Sequence, residues 1–417
     1  MSLTIYSHQE LELHQHIEQV EISLTALLQW HSSKITEAIS DWLPKLARFH
    51  DLGKGSVAFQ DYIGDPANYR GDPVEKAHTA LSLFLTLKLA NQEEWSELDG
   101  VALAMVVRGH HTALPTLPQR KIGAVSDADR NLNNFAIGKT ARVLIKQLAS
   151  LDFIELERQT ELPVSRECNE LCDDPKRYIL RMKRYLEEKL IPKVHSLSES
   201  AAIDYRLKVQ LLFSILLEAD KALLAVTQPE IYLQRHRPRW EADWVEQLIQ
   251  DPSIKKRSNP LRTKIRKDVK EAIHAQEDGR IFSLVAPTGC GKTLLAATWA
   301  LSLQEKIRAR GENPPKIIVV LPFLSIIDQT VKEYIKLLSI GGVKHDGSLL
   351  LSSHSLAERT YSEGMETKDE RFFLDTWRSE LIITTYDQFL MSLIDPKARY
   401  QMRFHHLSDA LIVMDEV

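Results

Sequence analysis

Histidine and aspartate gather at five places in the first half of the chain. His16 lies in LHQHIEQV, His50-Asp51 in RFHDLGKGS, His78 in EKAHTALS, His110-His111 in RGHHTALP and Asp220 in LLEADKALL. Imidazole nitrogens and carboxylate oxygens bind divalent cations. A neighbouring histidine and aspartate can serve two ions at once, the carboxylate bridging both and the imidazole capping one. Lys54, one turn beyond Asp51, can oppose the negative charge of a phosphate under attack, which makes Asp51 and Lys54 candidate catalytic groups. A lone His-Asp pair reads equally as an ordinary helix end finished by Gly53 with a solvated acid. The companion histidines shift the reading toward a metal. So does Asp220, because a carboxylate on a helix of leucines and alanines is costly to bury without a compensating cation.

A second chemistry is written near the other end. Ala286-Pro-Thr288-Gly289-Cys290-Gly291-Lys292-Thr293 follows an apolar run and precedes a helical one, the setting of a phosphate-binding loop. Gly289 and Gly291 allow the tight turn that aims backbone N–H groups at phosphate oxygens. Lys292 can reach the β- and γ-phosphates, and the Thr293 hydroxyl can ligate Mg²⁺. In ALIVMDEV, Asp415 can hold Mg²⁺ and Glu416 can orient or deprotonate the attacking water, where the plain alternative is a strand end with two solvated acids.

These residues need scaffolds, and the periodicity supplies two kinds. From Ile17 to about Leu224 apolar residues recur at helical spacing, so an all-α domain is expected over 1–228. Pro229, Pro238, Pro252 and Pro260 interrupt the pattern among basic residues, which predicts a linker over 229–262. Arg235, His236, Arg237, Arg239, Trp240, Lys255, Lys256 and Arg257 lie in it; they suit a single strand, with the ring stacking on a base, or equally a solvated connector with Trp240 buried. Over 263–417 the apolar runs IFSLV, KIIVVLPF, SLLLSS, LIITT and ALIVM alternate with helical stretches, so an α/β domain with a parallel sheet is expected. The polar stretch Thr112 to Asn134 reads as a long loop or hairpin beside the histidine site.

Composition narrows the remaining choices. With 417 residues, 44% hydrophobic and 26% charged, the chain can fill two or three cores. No run is apolar and long enough for a membrane span, and the N-terminus lacks a signal-peptide pattern, so a cytoplasmic protein without membrane association is expected. The formal charge of −4 excludes a uniformly basic coat and leaves nucleic-acid binding to local patches. Cys168, Cys172 and Cys290 are too few for a disulfide framework, and a single CxxxC pair is a poor zinc site.

The order H…HD…H…HH…D resembles the HD phosphohydrolase superfamily, and specifically the HD nuclease domain of the nuclease-helicases of type I CRISPR interference. APTGCGKT resembles the phosphate loop of superfamily 2 helicases, and MDEV the start of their DExH box. The resemblance implies an all-α HD domain followed by a RecA-like P-loop lobe. It makes His16, His50, Asp51, His78, His110, His111 and Asp220 ligands of a two-metal site, with Lys54 as an auxiliary phosphate contact. VVLPFLSIIDQT and LIITTYDQFLMSL resemble segments that touch the nucleic-acid backbone, which implicates Pro322, Thr384 and Gln388. Single-stranded DNA and a crRNA-guided surveillance complex are the implied partners. Imidazole-rich ligation points to two transition-metal ions, Mn, Fe, Co or Ni, with ATP and Mg²⁺ in the helicase module. The sequence stops at Val417, where such helicases continue into the histidine of the box and a second lobe, so little ATP turnover and no translocation are expected of these residues alone. Two other readings stay open: an HD phosphohydrolase of nucleotides with the α/β half as a sensor, and a non-catalytic adaptor.

Overall fold

The computed structural model describes residues 4–90, 95–118, 130–235, 238–252, 259–275, 280–343, 349–353 and 368–415. The chain divides into two compact units, Met1–Leu224 with Asp395–His405, and Ala225–Ile394 with His406–Val417.

The first unit is helical, as its periodicity predicts, apart from a small hairpin of β1 (Tyr6–His8) and β2 (Leu11–Glu12). Helix α1 (Leu13–Leu28) starts at a capping box in which Glu12 and Gln15 each satisfy the other's main-chain N–H. It packs against α2 (Leu43–Phe49). Helix α3 (Thr79–Ala90) has every side chain from Ala80 to Ala90 buried, the pattern of a central helix, and its Lys88 reaches Glu170 at 2.7 Å. Helix α4 (Glu97–Gly109) lies along it, capped by Ser96, whose hydroxyl accepts from the Asp99 amide at 3.1 Å. Helix α5 (Glu199–Ala225) buries one long stretch from Val209 to Ala222. Shorter helices between Gly138 and His195 complete the unit. Cys168 and Cys172 are free, one turn apart; burial pushes the Cys168 thiol up to about 12, which fits a packing role. Of the predicted loop after Thr112, residues 119–129 lie outside the described residues, and Thr116 pairs with Asn131 at its base.

The second unit holds a parallel sheet in the order β4 (Leu350–Ser353), β5 (Leu381–Thr385), β3 (Ile317–Leu321), β6 (Leu411–Met414). Strands β3 and β5 are buried on both faces, so alternate residues feed two cores. Ile317, Val319 and Leu321 join Ala297, Leu301, Tyr334 and Leu337 on one side. Ile318 and Val320 join Leu351, Trp377 and Phe389 on the other. The helices that supply these residues are α6 (Lys292–Ala309), α7 (Leu324–Ile340) and α8 (Tyr386–Ile394).

Two expectations change here. The segment IFSLV, predicted as a strand, joins neither edge of the sheet; residues 281–287 are irregular, with Ile281 and Val285 each 94% exposed. An extended run with no ladder partner gains nothing to fix it as a strand. The segment 229–262, predicted as a linker, carries the helices Pro229–Leu233 and Trp244–Gln250, and Trp240, Trp244, Val245 and Leu248 are core residues. Four prolines suggest a connector, but the apolar side chains between them decide the packing. Trp240 is 2% exposed and offers no stacking face, and Arg235 is committed to Glu380 at 2.6 Å. His236, Arg237, Lys255, Lys256 and Arg257 lie outside the described residues. Among the described residues, no helix is long and apolar enough to cross a membrane.

Candidate functional site

His50 is the C-cap of α2, and the chain then tightens into a 3-10 turn over Leu52–Gly55. This turn, rather than a continuing α-helix, brings Lys54 over Asp51, because residues three apart eclipse in it. Lys54 Nζ lies 2.6 Å from Asp51 Oδ2, with both side chains buried. Gly53 lets the turn press on the start of α3, and its amide donates to the Ser82 hydroxyl at 2.9 Å. That contact seats His78, which directly precedes α3. His110 caps α4 and His111 follows it. His16 comes from the first turns of α1 and Asp220 from the buried stretch of α5.

The seven histidines and aspartates converge into two groups that share one carboxylate. Asp51 with His78, His110 and His111 forms one, and Asp51 with His16, His50 and Asp220 the other. The two oxygens of Asp51 are divided between them. Oδ1 lies 3.1 Å from His78 Nε2 and 3.4 Å from His110 Nε2. Oδ2 lies 3.0 Å from His50 Nε2 and 3.3 Å from His16 Nε2. Asp220 Oδ1 closes the second group at 3.1 Å from His16 Nε2, and His111 Nε2 closes the first at 3.1 Å from His78 Nε2.

The hydrogen-bond pattern tests whether a cation fits. His50 Nδ1 donates to the Ala47 carbonyl and His110 Nδ1 to the Val107 carbonyl, each at 2.7 Å. A carbonyl only accepts, so the Nδ1 of each ring carries a proton, and the Nε2 is the atom left facing the site, where it can ligate a cation. Both oxygens of Asp51 are buried without an aligned hydrogen bond. Ring nitrogens and carboxylate oxygens that crowd together with their lone pairs facing are unfavourable in a dry interior unless a cation sits among them. The residues therefore fit a pair of metal ions bridged by Asp51.

The electrostatics agree. Burial pushes the His78 and His111 imidazoles down, to about 4 and about 2, which leaves both neutral and ready to ligate near neutrality. Burial also opposes charge on His50, but Asp51 and Asp220 outweigh it and raise its pKa to about 10. A cation would displace that proton. Burial works against charge on Asp51 and Asp220 as well. Even so, the His50 and Lys54 charges beside Asp51, and the hydrogen bonds of His16 and His50 to Asp220, hold both carboxyls well below the usual range.

In the second unit the segment Thr288–Thr293, expected as a phosphate loop, turns sharply at its glycines and leads into a helix, without the strand expected before it. Gly289 and Gly291 take φ of 79° and 78°, and no atom comes within 4 Å of a Cβ built at either, so their left-handed turns leave open space in front of the loop. Gly291 is the N-cap of α6, which Lys292 and Thr293 begin; Lys292 and Thr288 are exposed, Thr293 is half-buried, and Cys290 is buried. The Gly289 carbonyl accepts from Arg262 at 2.5 Å. Helix α6 packs on β6, and Asp415 directly follows that strand; the Asp415 amide donates to the Val320 carbonyl at 3.0 Å and its carbonyl accepts from the Tyr386 hydroxyl at 2.9 Å. Glu416 lies outside the described residues. Pro322 is half-buried after β3 and Gln388 is buried in α8. Thr384, expected to touch a strand, is fully buried and its hydroxyl donates to the Ser353 carbonyl at 2.8 Å.

Comparison with known families assigns both halves. Residues 7–172 match the family described as Cas3, HD domain, and residues 265–417 match the DEAD/DEAH box helicase family. The chain joins a Cas3 HD domain to a DEAD/DEAH box helicase domain. The CRISPR-associated nuclease/helicase Cas3 of Haloferax volcanii is 25% identical over 400 residues, covering 89% of this chain and 41% of that protein. The crystal structure of T. fusca Cas3-AMPPNP superposes with a TM-score of 0.53 at 16% identity, covering 100% of this chain and 47% of that one. A second T. fusca Cas3 structure gives 0.52 at 17%, covering 100% and 46%. The chain thus spans less than half the length of these relatives.

Asp220, expected from the sequence as a ligand, lies beyond the stretch matched by the HD family, and the geometry brings it to 3.1 Å from His16 Nε2. Sequence reasoning missed His8 in the HD domain, whose ring meets His16 edge-on at 4.8 Å and whose pKa burial lowers to about 4. It sits in a three-residue strand outside any periodic pattern, so nothing in the sequence marked it. It also missed His31, Glu218 and His405, a buried chain of hydrogen bonds in the same unit.

Proposed function

We propose that the HD domain is a metal-dependent nuclease cutting single-stranded DNA, within an ATP-dependent nuclease-helicase that degrades foreign DNA in CRISPR interference alongside a crRNA-guided surveillance complex. The observation that carries this reading is the division of Asp51 between two histidine-rich ligand groups, with both its oxygens buried and lacking aligned hydrogen bonds. His16, His50, Asp51, His78, His110, His111 and Asp220 would hold two ions drawn from Mn, Fe, Co or Ni. When bound, such a pair would supply activation of water and stabilisation of the leaving 3′-oxygen. Lys54, beside Asp51 Oδ2, binds the non-bridging oxygens of the scissile phosphate, and the neutral His78 and His111 rings keep the ligand set from repelling cations. In the helicase domain Thr288 to Thr293 cradle the ATP phosphates, and Asp415 holds Mg²⁺ with Glu416 directing the water.

Incubation of the 417-residue chain with Mn²⁺ or Ni²⁺ and either circular single-stranded DNA or deoxynucleoside triphosphates separates the readings. Nicked circles are expected, with Lys54→Met slowing nicking by about 10²-fold while bound metal is retained. Phosphate released from triphosphates with intact circles would move the assignment to a nucleotide phosphohydrolase, and nicking supported by Mg²⁺ alone would contradict the ligand chemistry.

A further inference from the structure

Residues Asp395–His405 lie, in sequence, between α8 and β6 and within the stretch matched by the helicase family, yet they fold as part of the HD unit. Their first half forms an antiparallel bridge, Ala113 opposite Lys397, in which the Leu114 amide donates to the Pro396 carbonyl and the Ala398 amide donates to the Thr112 carbonyl, both at 2.9 Å. Thr112 directly follows the ligand pair His110-His111. On the other side of that pair, a Cβ on Gly109 would lie 3.2 Å from both the Leu114 backbone and the Phe213 ring, so the turn is closely walled. The second half grips α5. The Gln210 amide donates to Gln401 Oε1 at 3.1 Å, the His405 amide donates to the Ser214 hydroxyl at 2.9 Å, and His405 Nε2 meets Glu218 Oε2 at 2.8 Å. His405 Nδ1 in turn meets His31 Nε2 at 3.1 Å. Gln210, Ser214 and Glu218 are spaced by four residues and form one stripe of α5, and Asp220, two residues past Glu218, projects from the other side of the same buried helix. Glu218 and His405 are both 0% exposed, and a buried carboxylate is stabilised by a hydrogen-bonding partner of this kind.

We infer that residues 395–405 are a positioning strap for the metal centre. Helicase-domain sequence holds the His110-His111 turn through the main-chain bridge, and through Gln210, Ser214 and Glu218 it fixes the height and rotation of the α5 stretch that carries Asp220, one hold for each ligand group. His405 is a positioning residue, since it acts through α5 and belongs to neither of the two groups that share Asp51. The inference rests on the metal centre proposed above and adds that the HD ligands depend on residues outside the stretch 7–172 matched by the HD family.

Titration of the full chain with Co²⁺, followed by its visible d–d absorption, tests this. The parent is expected to take up two equivalents. His405→Ala should weaken one of them about tenfold and shift its band, the effect of losing an outer-shell support. Ala398→Pro removes the N–H that donates to Thr112. It suits the first position of the short helix Ala398–Gln401, because Lys397 before it is extended at φ −65°, ψ 136°. This variant should weaken the other equivalent and leave circular dichroism unchanged. A His405→Ala chain that fails to fold leaves the decision to Ala398→Pro. Folded variants that bind both equivalents with parental affinity and band positions overturn the strap. A parent that binds no cobalt overturns the metal centre itself, a separate outcome.

Discussion

Asp51→Ala is expected to lose both metal ions together and to reduce DNA cleavage by about 10³-fold or more. Each ligand group draws on a different oxygen of this one carboxylate, Oδ1 facing His78 and His110 and Oδ2 facing His16 and His50. Without it neither group has the shared anion, and the first keeps only the imidazoles of His78, His110 and His111. The loss also leaves the buried Lys54 amine without the carboxylate 2.6 Å away. Asp51→Asn keeps the volume but supplies one acceptor oxygen in place of two, so it should behave almost as severely. Elemental analysis of the bound metal beside initial nicking rates checks this, with circular dichroism confirming the fold. Retention of one full ion by Asp51→Ala would show that the two groups act independently.

The second large effect comes from a residue with no side chain. A Cβ on Gly53 would stand 2.2 Å from the His78 carbonyl oxygen and 2.9 Å from the Ser82 nitrogen, both backbone atoms at the start of the buried helix α3. Neither can yield as a flexible side chain would, since α3 is enclosed from Ala80 to Ala90. Gly53→Ala should therefore destabilise the HD domain by about 3 kcal/mol and, by displacing His78, weaken metal uptake. Gly55→Ala is the matched control, because a Cβ there meets only side-chain atoms of Leu151, Ile5 and Leu156 at 3.2 to 3.5 Å. Urea melts of the two variants should separate them clearly; equal midpoints would mean that the turn relaxes around residue 53.

The contrast between these two residues shows what the sequence carries and what it leaves out. Metal chemistry restricts residue types so strongly that His16, His50, Asp51, His78, His110, His111 and Asp220 stand out from spacing and family pattern, and the fold brings all seven together. Helical periodicity likewise marks α1, α3 and α5, since each must bury one or all of its faces. Gly53 reads from sequence as a helix stop, because its close approach to His78 is made across 25 residues. The strap is less legible still. Pro396, Ala398 and His405 have no unusual composition, and they belong to the HD unit only through partners such as Thr112 and Glu218 that are far away in the chain. The proline-rich segment 229–262 and the run Ile281 to Val285 mislead for a related reason: local pattern gives a segment's character, and only tertiary partners decide whether it packs.

The central claim, a two-ion centre bridged by Asp51, is tested most directly by anomalous diffraction from crystals of the chain loaded with Mn²⁺ or Co²⁺. Two peaks about 3.5–4 Å apart are expected, one beside each oxygen of Asp51, the first ringed by His78, His110 and His111 and the second by His16, His50 and Asp220. A single peak, or two peaks with Asp51 bound to only one of them, would contradict it.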